Sequence, residues 1–118
     1  MLRIIAALFA LLFTLPSHSQ GLRNVPLGFC SLSSMSSATP LSSCSGGIPN
    51  FTSYAVICAY VQNVNWRDDG VAPTTTAGTG GQQIQANNCI AYNGTFTAIQ
   101  FIQQTSGAIL GVTFYRAV

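Results

Sequence analysis

The nine residues Tyr54 to Gln62, YAVICAYVQ, constrain this chain more than any other feature. They are rich in β-branched and aromatic side chains, which suit a pleated strand. Alternate residues of a strand point to opposite faces. Here both sets are apolar: Ala55, Ile57, Ala59 and Val61 on one side, Tyr54, Val56, Cys58 and Tyr60 on the other. Such a strand belongs at a sheet centre or an interface, with cover on both faces.

The rest of the chain agrees with a sheet protein. Leu27 to Leu32, Gln82 to Gln85, Cys89 to Tyr92, Phe96 to Gln103 and Ile109 to Arg116 are further strand segments, with a short one near 38–43. Val64 to Arg67 reads as a continuation of the Tyr54 strand after a bulge near Asn63. Asp68-Asp69-Gly70, Asn87-Asn88, Asn93-Gly94 and Ser106-Gly107 mark the breaks, and Asn93-Gly94 is the strongest tight-hairpin signal. Residues 31–47 are Ser-rich, and their hydroxyls compete with helix by bonding the local backbone. Residues 71–81, all Thr, Gly, Ala, Pro and Val, read as a flexible loop. In the last strand Leu110, Val112 and Phe114 share one face. The expected fold is all-β: a small antiparallel β-sandwich, jelly-roll or Ig-like, with seven to eight short strands.

The N-terminus has a different character. Arg3 precedes an apolar run from Ile4 to Leu15, Pro16 ends it, and Ser17 and Ser19 are small residues before a cut after Ser19. Residues 1–19 therefore read as a signal peptide, or failing cleavage as an apolar N-terminal arm, and 20–118 as the β-sandwich domain. Twelve helical residues rise about 18 Å, short of the roughly 30 Å hydrocarbon core, so no stable membrane span is expected.

Export suits the cysteines. Cys30, Cys44, Cys58 and Cys89 all follow the cut, and an even number in an oxidising compartment reads as two disulfides. Four cysteines allow three connectivities, and the sequence alone does not choose. Cys58–Cys89 with Cys30–Cys44 is the favoured pairing, since Cys58 and Cys89 lie in the most strand-like segments. Four buried free thiols are the other reading. Zinc is disfavoured by spacings of 14, 14 and 31 residues and by a lone histidine, His18, inside the leader.

Charge narrows the function. The only charged side chains are four arginines and two aspartates, 5% of 118 residues. After the leader only Arg23, Arg67 and Arg116 are basic, too few to neutralise a nucleic-acid backbone. The mature part has no His, Lys or Glu, so a hydroxyl or thiol nucleophile lacks a base. Glycoside hydrolysis needs two separated carboxylates, whereas Asp68 and Asp69 are adjacent. No enzyme activity, cofactor or metal is expected. Trp66, Arg67, Asp68 and Asp69 stand out as a turn or interface cluster, with Trp66 packed over the core edge in preference to serving as a sugar-stacking platform.

Several stretches resemble small structural proteins encoded by tailed phages and prophages. They are Asn24-Val25-Pro26-Leu27-Gly28-Phe29, Gly46-Gly47-Ile48-Pro49, the Tyr54–Gln62 strand, Trp66-Arg67-Asp68-Asp69-Gly70 with Ala72-Pro73-Thr74, Thr97 to Ile102, and Val112-Thr113-Phe114-Tyr115. The resemblance spans about 95 residues. It implies a compact β-sandwich without catalytic residues that decorates a capsid or completes a head. Its partners would be other virion proteins or further copies of itself, and its location the virion. The leader and the four cysteines depart from that family. They point to an alternative: a secreted or periplasmic, disulfide-stabilised β-sandwich that binds a surface, sugar or protein partner.

Overall fold

The computed structural model describes residues 23–76 and 78–118. The expected signal peptide, residues 1–19, lies outside the described residues. Eight strands form: β1 (Asn24–Leu32), β2 (Thr39–Pro40), β3 (Tyr54–Tyr60), β4 (Val64–Arg67), β5 (Gln82–Ile84), β6 (Cys89–Tyr92), β7 (Gln100–Gln103) and β8 (Ile109–Ala117). A single 3-10 turn, Leu41–Ser43, is the only helical element among the described residues. The strands make two antiparallel four-stranded sheets, ordered β1-β8-β3-β6 and β2-β7-β4-β5.

That order follows from one nested ribbon. Asn24 pairs with Ala117, Leu32 with Leu110, Thr39 with Phe101, Ala55 with Tyr92, and Val64 with Ile84. Each pair lies inside the previous one, as in the two arms of a long hairpin whose tip is the β4–β5 loop. Wound into two layers, this ribbon is a jelly roll. Of the two sandwich types expected from sequence, the jelly roll is the one formed.

The core lies between the sheets. Ala55, Ile57 and Ala59 face it from β3, and Leu110, Val112 and Phe114 from β8; each is at most 1% exposed. Val64, Ile84 and Phe101 face them from the second sheet. Met35 and Leu41 are fully buried too. The Ser-rich segment thus drives its few apolar side chains into the core, while its serines stay outside.

Four expectations need correction. Val64–Arg67 does not continue the Tyr54 strand. The chain leaves β3 at Val61, whose φ is 72°, and β4 joins the other sheet. A β-branched residue in the left-handed region is unusual, and no local signal announces it. Asn93-Gly94 is not a hairpin either, because β6 pairs with β3 while β7 pairs with β2 and β4. Gly94 serves close approach: a Cβ there would sit 2.5 Å from the Tyr92 hydroxyl. Residues 96–99 are excluded from β7 by a turn in which the Ala98 and Ile99 amides donate to the Thr95 carbonyl. Lastly, the 71–81 segment is folded onto the sheet. Pro73 is buried, the Thr74 amide donates to the Gly80 carbonyl, and the Gly80 amide donates to the Thr76 carbonyl.

Asn65 anchors that loop. It is 2% exposed, the only buried polar residue among those described. Its amide nitrogen donates to the Thr74 carbonyl at 2.9 Å, and its Oδ1 accepts from Gln104 at 3.0 Å. Truncation removes both hydrogen bonds, at about 0.5–1.5 kcal/mol each. Asn65→Ala is therefore expected to lower the melting temperature and to raise protease cleavage within 71–81; a melting temperature equal to wild type would refute the anchor.

Candidate functional site

Among the described residues the candidates for function are the disulfides, the Trp66–Asp69 cluster, and the outer face of the β1-β8-β3-β6 sheet.

Cys30 is bonded to Cys44, and Cys58 to Cys89, which is the favoured pairing. The first ties β1 to the end of the 3-10 turn, and both its residues are buried. The second joins directly opposed residues of neighbouring strands β3 and β6. Its Cys89 is exposed. No cysteine is free.

The four cluster residues sit where β4 runs out at one end of the sandwich. Trp66 points inward and packs against the core. Its indole meets the Tyr92 ring edge-on at 5.6 Å, and Tyr92 meets Phe96 in the same way. The indole thus closes the end of the core. Arg67 forms a two-pronged ion pair with Asp69, with Nε donating to Oδ1 at 2.9 Å and the second nitrogen to Oδ2. Asp69 Oδ1 also accepts from the Val71 amide at 3.3 Å. Gly70, at φ 83°, turns the chain. Asp68 points away from its neighbour, as adjacent residues do, and accepts from the Tyr92 hydroxyl at 2.8 Å. A cleft of about 450 Å³ lies over this cluster, lined also by Gly78, Thr79 and Gln82.

The electrostatics of the cluster are local. The Arg67 guanidinium holds the Asp69 carboxyl down at about 2, below its ordinary 3.8. Burial, with the Asp68 carboxylate beside it, pushes the Tyr92 phenol well above its ordinary value. Both aspartates therefore have partners, Tyr92 for Asp68 and Arg67 for Asp69. The Asp69 shift has a definite sign for stability. A carboxylate depressed in the folded state contributes stability that is complete above the unfolded value, near 3.8, and is lost as pH falls through about 2. Asp69 is fully exposed, so solvent keeps the contribution small. In an NMR titration Asp69 is expected to titrate near 2, and Arg67→Ala to return it to the ordinary carboxylate range. A midpoint unmoved by that substitution would contradict the pairing.

The outer face of the β1-β8-β3-β6 sheet was not marked by any motif. The outward set of β3 is Tyr54, Val56, Cys58 and Tyr60, and Tyr60 is 45% exposed. Beside it stand Phe29 of β1, 68% exposed, and Ile109 of β8, 39% exposed. A Cβ on Gly111 would lie 3.1 Å from the Tyr60 ring and 3.5 Å from the Phe29 ring, so both rings lean over that bare position. Tyr54 and Tyr115 stack with ring centroids 5.0 Å apart at the other end. Sequence reasoning found the β3 half of this surface and missed Phe29 and Ile109. The signal for Phe29 was its alternation with core-facing Cys30.

Among the described residues no group of three or more metal-ligating side chains gathers, and no helix is long and apolar enough to cross a membrane. Set against protein-family models, curated proteins and solved structures, the chain matches none. What the fold and surface define is a class: a disulfide-bonded, eight-stranded jelly roll with an almost uncharged surface.

Proposed function

We propose that this protein is a non-enzymatic building block of a phage particle, a capsid-decoration or head-completion component. The observation that carries the reading is the strand order β1-β8-β3-β6 over β2-β7-β4-β5, an architecture that serves repeatedly as a capsid module. The sequence resemblance to phage structural proteins supports it independently. So does a polar surface built from Ser, Thr, Asn and Gln, since packing such a surface against a neighbour desolvates few ions. The reading needs no cofactor. Its partners are other virion proteins or further copies of the chain. The test is to purify intact particles by density gradient and detect the protein in them by mass spectrometry.

The two disulfides favour a second reading, because cross-links of this kind persist in oxidising compartments. In that reading the chain is exported and binds a surface, sugar or protein partner outside the cytoplasm. Jelly rolls also serve as lectin domains. N-terminal sequencing of the purified protein, with its cellular fraction, separates the two.

A further inference from the structure

We infer that the outer face of the β1-β8-β3-β6 sheet is a homodimer interface, with the same face of a second copy as its occupant. The inference extends the building-block reading and stands even if the protein is absent from particles.

The first argument is composition. The outward positions are Pro26, Phe29 and Ser31 on β1, Ile109, Gly111, Thr113 and Tyr115 on β8, Tyr54, Val56, Cys58 and Tyr60 on β3, and Cys89 and Ala91 on β6. None carries a charge. A partner with a charged face would leave those charges desolvated and unpaired here, whereas a second copy brings an equally uncharged face.

The second argument is cover. β3 is apolar on both sides, and the sandwich buries only the Ala55, Ile57, Ala59 side. The Ser-rich segment 31–47 does not cover the other side. It instead inserts Met35 and Leu41 between the sheets, which leaves Phe29 and Tyr60 in the open.

Area is the third. Four strands about 4.8 Å apart and seven residues of about 3.4 Å rise give a flat footprint of roughly 450 Å² per copy. Side-chain relief adds to it, so two copies bury more than about 1,000 Å² together, the size a specific interface requires. Two such faces stack at the spacing of packed sheets, about 10 Å. The Phe29 and Tyr60 rings, leaning over Gly111, are large anchors of the kind that dominate interface energetics.

The test is sedimentation equilibrium of the purified protein across a concentration series. Wild type is expected to dimerise. Phe29→Arg and, separately, Ile109→Arg are expected to raise the dimer Kd at least about 100-fold, as the loss of an interface anchor does. Both positions are exposed in the single copy, so the β circular-dichroism spectrum should persist. Val71→Arg, on the exposed loop away from this face, should leave the Kd unchanged. Hydroxyl-radical footprinting of wild type needs no variant: Tyr60 oxidation should fall as protein concentration rises, while Val71 oxidation stays constant. A wild type that is monomeric at millimolar concentration overturns the inference, and so does a dimer that both face variants leave intact. Tyr60 protected only on adding particles would also overturn it, in favour of a virion partner.

Discussion

Phe101→Ala is expected to destabilise the domain by about 3–5 kcal/mol, the range for removing a large aromatic from a packed core. Phe101 is fully buried and lies on β7 between Thr39 of β2 and Trp66 of β4. It is the largest fully buried side chain of its sheet, and the opposite sheet lines the core with Ala55, Ile57, Ala59, Leu110, Val112 and Phe114. Collapse would require the sheets themselves to approach, and each is held by its own hydrogen-bonded ladder. A domain of this size has total stability of about 5–15 kcal/mol, so the variant should unfold at much lower urea concentration. A midpoint within experimental error of wild type would show that Phe101 does not lie between the sheets.

The second large effect concerns Cys30–Cys44. The two cysteines are 14 positions apart in sequence, and the chain-entropy account assigns about 3 kcal/mol to a cross-link closing a loop of that length. The closed loop contains Met35, Leu41 and the short strand β2, which is only two residues long. So short an edge strand has little ladder of its own, and it depends on the cross-link and on burial of its flanking side chains. Replacing both cysteines by alanine should therefore cost about 3 kcal/mol and release 33–43 to hydrogen exchange first. Cys58–Cys89, in contrast, joins residues already opposed in a ladder. Its removal should leave the local exchange pattern of β3 nearly intact even as global stability falls. Equal loss of protection at both sites would contradict this distinction.

Much of the fold was legible because its strands alternate. β6 was read with its observed bounds, and β3 and β8 to within two residues. That Leu110, Val112 and Phe114 share one face was read from period alone, and the sandwich turns that face inward. What escaped was set by distant partners. Asn93-Gly94 has the composition of a tight hairpin, yet β6 and β7 are drawn to opposite sheets by β3 and β4. Val61 ends β3 with a positive φ that a β-branched residue does not advertise. The loop 71–81 looks featureless until Asn65, on another element, bonds Thr74.

The cluster was legible in part. Arg67 and Asp69 are two residues apart, so their pairing follows from local geometry. Asp68 finds its partner in Tyr92, 24 residues on, and nothing local links the two. Trp66 shows why a lone tryptophan beside charged residues is a weak sign of a ligand platform: its ring is spent on closing the end of the core. The outer sheet face followed a different logic. The two-sided apolarity of β3 required a partner surface, but which of its sides faced out depended on the sandwich as a whole.

The central claim, a jelly-roll building block that belongs to a virus particle, is tested most directly by quantitative mass spectrometry of gradient-purified particles. The account predicts peptides of this chain, such as one covering Tyr54 to Arg67, at a fixed copy number per particle that persists through repeated banding. Particles free of the chain, with the protein recovered instead from the medium or periplasm, would contradict it.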